Sequence, residues 1–278
     1  MDADPILREY DARRAVFRAF AERMDFVIRE SLSRAKIRTQ SIEHRVKERN
    51  SLLSKLSRPG ATYSCLNDVT DVCGVRVITY FATDVDRIGE VLKKEFIVDA
   101  SNSTDKRIYT DPDRFGYRSL HYVLSMSPDR TALSEYAPFA AYKGEIQIRT
   151  VIQHAWAEIE HDLGYKTALA VPRHVKRRLF RLAAMLELAD EEFTAINDSL
   201  VEYREQVEQN LKRDITSIPI DATSISEFIR TDSLLKQLDQ QIANQSKCVI
   251  TPLKEPSAAA LATWLNYVGF HLERFVQI

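Results

Sequence analysis

Along the first part of the chain, Ile6, Tyr10, Phe17, Phe20, Met24, Val27 and Leu32 recur at helical intervals, broken at Arg13 and Ser31. That spacing predicts a first helix over residues 6–36. A second helix is expected over 41–56, with Ser41 as a plausible N-cap side chain and Pro59-Gly60 as the stop. The period then changes. Residues 74–81 (GVRVITYF) are β-branched and aromatic and predict a strand, as do 117–126 and 143–150. Residues 84–96 predict a helix with Val85, Ile88, Val91 and Leu92 inward. Together these elements imply an α+β fold, a mixed β-sheet of roughly three to five strands flanked by helices.

After Pro172 the apolar positions Val175, Leu179, Leu182, Leu186, Ala189, Phe193, Ile196 and Leu200 alternate steps of four and three, and Tyr203 and Val207 continue the series. A long C-terminal helix with a continuous seam is expected, packing on the N-terminal helix or on a second subunit. Beyond Lys212 a polar, Pro- and Ser-punctuated tail has helical stretches near 224–241 and 257–276. The domain division expected from this pattern is an N-terminal helix over 1–40, a central domain over 41–205 and a helical extension over 206–278.

The polar positions are most organised around 144–161. Glu145, Gln147 and Arg149 fall on one face of a strand, with Ile146, Ile148 and Thr150 on the other. The helix that follows places His154, Glu158, His161 and Tyr165 at steps of four, three and four. That polarity suits a pocket for a charged ligand, although an antiparallel strand with one wet face alternates in the same way. Three further clusters precede it. Arg45 and Lys47 are followed by Ser51 and Lys55; on a single helix Lys47, Ser51 and Lys55 would share a face, and a polyanion would relieve the repulsion of the two ammonium groups. Asp68 and Asp71 stand before a strand that carries Gly74 and Arg76, where a carboxylate can hold a hard cation such as Mg²⁺. Gly116, Tyr117, Ser119 and His121 follow, with Tyr117 able to offer a ring to a base.

Composition narrows the function. The 39 Lys+Arg against 40 Asp+Glu give no overall field for nucleic acid or membrane. Cys65, Cys73 and Cys248 form neither a disulfide framework nor a zinc site, and read as reduced thiols. No apolar signal core or membrane-length run appears, so a cytoplasmic protein is expected. With seven glycines and no G-x-x-x-x-G-K-[ST] loop, a Walker-type site is excluded. Glu158-x-x-His161 has di-iron spacing but lacks the second pair such a centre needs.

In order and spacing the four clusters resemble the synthetase domain of the RelA/SpoT family, the (p)ppGpp alarmone synthetases, over about residues 41–189. An Arg-x-Lys segment with later Ser and Lys is matched by Arg45, Lys47, Ser51 and Lys55. An Asp-x-x-Gly-x-Arg strand entry is matched by Asp71, Gly74 and Arg76, and a Gly-Tyr-x-Ser-x-His segment by Gly116, Tyr117, Ser119 and His121. A Glu-x-Gln-x-Arg-Thr strand with its helix is matched by Glu145, Gln147, Arg149, Thr150, His154, Glu158, Tyr165 and Lys166.

The resemblance implies a nucleotidyltransferase-like core and the transfer of pyrophosphate from ATP to the 3′-hydroxyl of GDP or GTP, with Mg²⁺. By it Arg45, Lys47, Ser51, Lys55 and Arg76 bind ATP. Asp71 and Glu145 are catalytic and bind Mg²⁺, Glu145 also taking the proton of the attacking hydroxyl. Tyr117, Ser119, His121, Gln147, Arg149 and His154 serve the acceptor, Tyr117 by stacking on its base. The chain departs from the family pattern at Asp113 and Phe115, where many members carry Lys and Asn on the acceptor side. The acceptor is therefore open between guanosine nucleotides and the adenosine nucleotides or tRNA 3′ ends used by toxic small synthetases. The family's hydrolase His-Asp motif is absent, so synthesis without degradation is expected. The small synthetases it resembles also imply a homo-oligomer. A catalytically silent nucleotide- or RNA-binding module is the reading from another class, and two metal-directed acids argue against it.

Overall fold

The computed structural model describes residues 3–60, 62–105, 119–166, 172–213, 218–251 and 253–269, without the side chains of 163–166. It divides into two compact units, Met1–Thr194 and Ala195–Ile278.

The first unit is built on a mixed sheet whose strands run β1 (Thr39–Val46), β2 (Cys73–Thr79), β6 (Gly144–Thr150), β5 (Leu120–Met126) and β3 (Phe96–Val98). A short β4 (Thr104–Asp105) pairs with β5, making six strands among the described residues. The α+β expectation holds, with one strand more than the sequence suggested. β2 and β6 are parallel and every other pair is antiparallel. Strict alternation gives the sheet two unlike faces. Val75, Val77, Ile146, Ile148, Leu120 and Leu124 are buried on one of them, against α1 (Asp4–Arg34) and α3 (Ala82–Glu95). The other face carries the polar residues.

α1 is the predicted first helix, with Tyr10, Phe20, Met24 and Ile28 wholly buried. Its two breaks in the apolar stripe have local explanations. The Arg13 guanidinium stacks over the rings of Phe17 and Tyr142, and buried Ser31 is hydrogen-bonded by Arg34. The helix stops where Lys36 takes a left-handed φ of 54° and Ile37 N–H donates back to Leu32 C=O, the usual way of satisfying terminal carbonyls.

The second predicted helix is corrected. Residues 39–46 form β1, paired antiparallel to β2 from Thr39↔Thr79 to Val46↔Cys73, and only α2 (Arg49–Leu56) is helical. Ser41 therefore caps nothing. The stretch is extended because the β2 edge offers its backbone groups a full ladder, and a ladder forms only once the two segments meet.

α5 (Val151–Lys166) follows β6 without a loop. Thr150 and Gln153 form a reciprocal cap: Thr150 N–H donates to Gln153 Oε1 at 3.0 Å, and Gln153 N–H to Thr150 Oγ1 at 3.1 Å. α6 (Arg173–Arg213) is the predicted long helix, but its apolar seam is not its docking face. Of the seam, Leu182, Phe193, Ile196 and Leu200 are exposed and Val175, Leu179, Leu186 and Ala189 half-buried, while Ala183 and Asp190 beside it are buried. Among the described residues no packing of α6 along α1 was found beyond isolated contacts. The helix is instead anchored by polar groups. Thr150 donates to Asp190 at 2.9 Å, and the Ala82 N–H donates to Thr194 at 3.2 Å. These bonds lie on the side of the helix that carries Ala183 and Asp190.

The second unit is helical. α7 (Ala222–Thr231) and α9 (Glu255–Tyr267) pack Ile225, Phe228, Ala258, Ala262 and Leu265 on Val207 from the end of α6. The single helix expected over 224–241 is two. Asp232 ends α7 and accepts from Leu235 N–H to cap α8 (Ser233–Ser246). Among the described residues no helix is long and apolar enough to cross a membrane.

Candidate active site

The polar face of the first unit's sheet is assembled by register. Arg45 of β1 lies opposite Gly74 of β2, which lies opposite Glu145 of β6. One step along, Arg76 faces Gln147, and Gln147 faces His121 of β5. Side chains two apart on a strand share a face, so four strands deliver Arg45, Arg76, Glu145, Gln147 and His121 to one side. A narrow cleft is lined by Arg45, Asp71, Gly74, Arg76, Glu145 and Gln147.

Gly74 makes the close pairing of β2 and β6 feasible. A Cβ there would lie 2.2 Å from the Glu145 carbonyl oxygen, well inside any real contact. The glycine of the Asp-x-x-Gly-x-Arg segment is thus required by the backbone that presents Glu145.

Asp71 stands at the entrance to β2, and two lysines converge on it. Lys47 Nζ is 3.1 Å from one carboxylate oxygen and Lys55 Nζ 2.8 Å from the other, with all three side chains largely shielded. The lysines meet here although they do not share a helix. Lys47 sits in the turn after β1, held by its N–H to Val72 C=O at 2.8 Å and by Tyr10, whose hydroxyl donates to its C=O, while Lys55 comes from α2. Ser51 is exposed on α2, and no hydrogen bond joins it to this cluster among the described residues.

On β6 the polar residues form one hydrogen-bonded chain. Gln147 Nε2 donates to Glu145 Oε2 at 3.0 Å, and Arg149 donates to Gln147 Oε1 at 3.0 Å. The second Glu145 oxygen lies 2.7 Å from His121 Nδ1, and His121 Nε2 lies 2.6 Å from Ser119 Oγ. From α5, Glu158 reaches across to Arg76 at 3.0 Å, with His154 Nδ1 3.7 Å from the same carboxylate.

The electrostatics show an excess of positive charge. The Arg149 guanidinium is held below its usual range, first by burial and then by Arg76, with Arg45 adding to it. His154 is likewise pushed down, by burial and then by Arg76 and Arg149. The repulsion felt by Arg149 and His154 would be relieved by an anion in the cleft. The buried Cys73 thiol is pushed up to about 12 by burial and by Asp71, which makes it inert.

The cleft can also accept a metal ion. Asp71 and Glu145 place hard oxygen donors in it, while no group of three or more His, Cys, Asp or Glu stands together among the described residues. Two carboxylates without a full protein cage fit Mg²⁺, which keeps waters and takes substrate phosphate oxygens.

The structure thus brings together Arg45, Lys47, Lys55, Asp71, Arg76, Ser119, His121, Glu145, Gln147, Arg149 and His154. Gly116 and Tyr117, with Asp113 and Phe115, lie outside the described residues. His161, expected beside His154 and Glu158, is exposed on α5. Sequence reasoning missed Asp190, buried beneath the start of α5, because its partner Thr150 is distant in the chain. The Thr150-x-x-Gln153 capping box was the legible signal for where the helix begins.

Comparison with known proteins is consistent with this geometry. The family model described as "Region found in RelA / SpoT proteins" matches residues 44–170. GTP pyrophosphokinase YwaC of Bacillus subtilis (strain 168) is 34% identical over 161 residues, 56% of this chain and 73% of the relative. Small alarmone synthetase 1 of Bacillus subtilis, in the crystal structure bound to its product pppGpp, superposes with a TM-score of 0.59 at 25% identity, covering 70% of this chain and 99% of that one. The same synthetase bound to AMPCPP gives a TM-score of 0.55 at 25% identity, covering 70% and 99%.

Proposed function

The chain belongs to the RelA/SpoT family, and on that premise we propose that it is a GTP pyrophosphokinase, transferring pyrophosphate from ATP to the 3′-hydroxyl of GDP or GTP to make (p)ppGpp. The observation that carries this reading is the crowding of Arg45, Arg76 and Arg149 around a cleft that also holds two acids. A polyphosphate adds negative charge beside Arg149, whose charged form burial and Arg76 disfavour. The adenosine and tRNA acceptors, and the inactive binding module, are not favoured by the relatives found.

In this mechanism Lys47, Lys55, Arg45 and Arg76 grip the ATP phosphates, Lys47 and Lys55 exchanging Asp71, and Arg76 exchanging Glu158, for phosphate oxygens. Ser51 supports that grip from α2. Gln147, Arg149 and His154 align the acceptor, and Tyr117 stacks on its base. The acceptor 3′-hydroxyl gives its proton to the Glu145 carboxylate as its oxygen bonds to the β-phosphorus. The bond from that phosphorus to the α-phosphate oxygen breaks, and AMP leaves. Asp71 and Glu145 would hold Mg²⁺, which when bound offsets the charge spreading over the transferred phosphates. Such transfers depend on alignment and fixed charge, which is what a side-chain cleft without a P-loop provides.

The reaction draws on nucleotides, which fits a cytoplasmic setting. The exposed Leu182, Met185 and Phe193 on one side of α6 support a homo-oligomer in which a second copy covers them.

The test is to incubate purified protein with ATP labelled in its terminal phosphates, Mg²⁺ and, separately, GDP, GTP, AMP or tRNA. Labelled guanosine product with stoichiometric AMP supports the proposal. Label in tRNA or adenosine product alone, or no transfer to any acceptor, refutes it.

A further inference from the structure

Ser119, His121 and Glu145 stand in a line through the wall of the cleft. His121 is 7% exposed and Ser119 6%, and both ring nitrogens of His121 are engaged, one by each neighbour. An ionised carboxylate only accepts, so Nδ1 carries the hydrogen that points at Glu145, and the Ser119 hydroxyl completes Nε2. With Gln147 donating to the other oxygen, each Glu145 oxygen has a donor and the carboxylate plane is fixed.

The order of contacts is that of a Ser-His-acid triad, but the exposure is reversed. In a hydrolase the serine faces substrate and the acid lies behind. Here Ser119 is inside, and the carboxylate is the member that lines the cleft.

We infer that His121 is a positioning residue for Glu145, with Ser119 setting the ring. This rests on the reading of Glu145 as the base, and departs from the acceptor role that family resemblance gives both residues. A carboxylate that must take a proton along one direction gains from a fixed plane, and a misplacement of about 1 Å at a reacting centre costs on the order of 10²-fold in rate.

The experiment separates kcat from KM in five variants of the full chain. His121→Ala should lower kcat by about 10²-fold with KM for ATP and for GDP within about twofold. His121→Asn, whose amide nitrogen overlies Nδ1, should recover kcat to within about tenfold of the parent. Ser119→Ala should lose several-fold in kcat at unchanged KM and, because it leaves the ring in place, tests the inference even if His121→Ala fails to fold. In a Glu145→Gln background, His121→Ala should cost less than about twofold more, the mark of two groups acting through one.

A rise in KM for GDP at constant kcat, additive losses in the double variant, or no rescue by Asn would overturn the inference. So would labelling of Ser119 by a serine-directed fluorophosphonate, which would make it an accessible nucleophile. The two readings fail differently. Full turnover by Glu145→Gln removes the base assignment and this inference with it, whereas an inactive Glu145→Gln beside a fully active His121→Ala removes this inference alone.

Discussion

Replacing Gly74 with Ala tests how the sheet presents Glu145. The new methyl carbon would meet the Glu145 carbonyl oxygen at 2.2 Å, whereas ordinary contact begins near 3.4 Å. The atom it meets is backbone in the parallel β2–β6 pair at the middle of the sheet, so no flexible side chain can yield. The strands must part by about 1 Å, and overpacking of this kind costs roughly 1–3 kcal/mol. For a domain of this size about 2 kcal/mol corresponds to a melting temperature lower by about 4–8 °C. The larger effect should fall on chemistry, because Glu145 moves with its strand relative to Asp71 at the entrance of β2, and about 10²-fold in kcat is expected. The assay pairs thermal melting with (p)ppGpp formation at saturating ATP and GDP. An unchanged melting temperature and kcat would refute the close approach. A lowered melting temperature with full kcat would refute the link between strand spacing and turnover.

Three other outcomes follow from the same geometry. Thr150→Val removes a helix cap and the hydrogen bond to buried Asp190 together, and should cost about 2–3 kcal/mol by denaturant unfolding; a loss under 0.5 kcal/mol would show that the α5–α6 junction is held elsewhere. The His154 ring, held down by burial and Arg76, should titrate below its ordinary 6.5 by NMR and move upward when nucleotide is bound. The unfolded chain binds that proton more readily, so this residue's contribution to stability is full above pH 6.5 and declines as pH falls towards its folded value. Leu182→Glu, at a side chain 44% exposed, should leave the melting temperature of dilute protein within about 2 °C of the parent while shifting sedimentation toward monomer. A large drop for dilute protein would place Leu182 in a core instead.

The sequence by itself determined a good deal of this protein. The period-two alternation of Glu145, Gln147 and Arg149 against Ile146 and Ile148 survives in β6, because each strand residue can face only one of two ways. α1, α3 and α6 were legible for the corresponding reason at a helical period. The charged residues that line the cleft were also legible, since each cluster carries a residue type its chemistry requires. What the tertiary structure decided was who meets whom. Residues 39–46 became a strand only because β2 supplied a ladder, and Lys47 and Lys55 converge on Asp71 across a turn that no periodicity describes. His121 stands opposite Gln147 and reaches Glu145 diagonally, through a cross-strand register set by the whole sheet. Asp190 of α6 is buried on Thr150, while Leu182 and Phe193 of its seam stay exposed. Periodicity records which side of an element is apolar; which side docks depends on neighbours distant in the chain, and no period in the sequence names them.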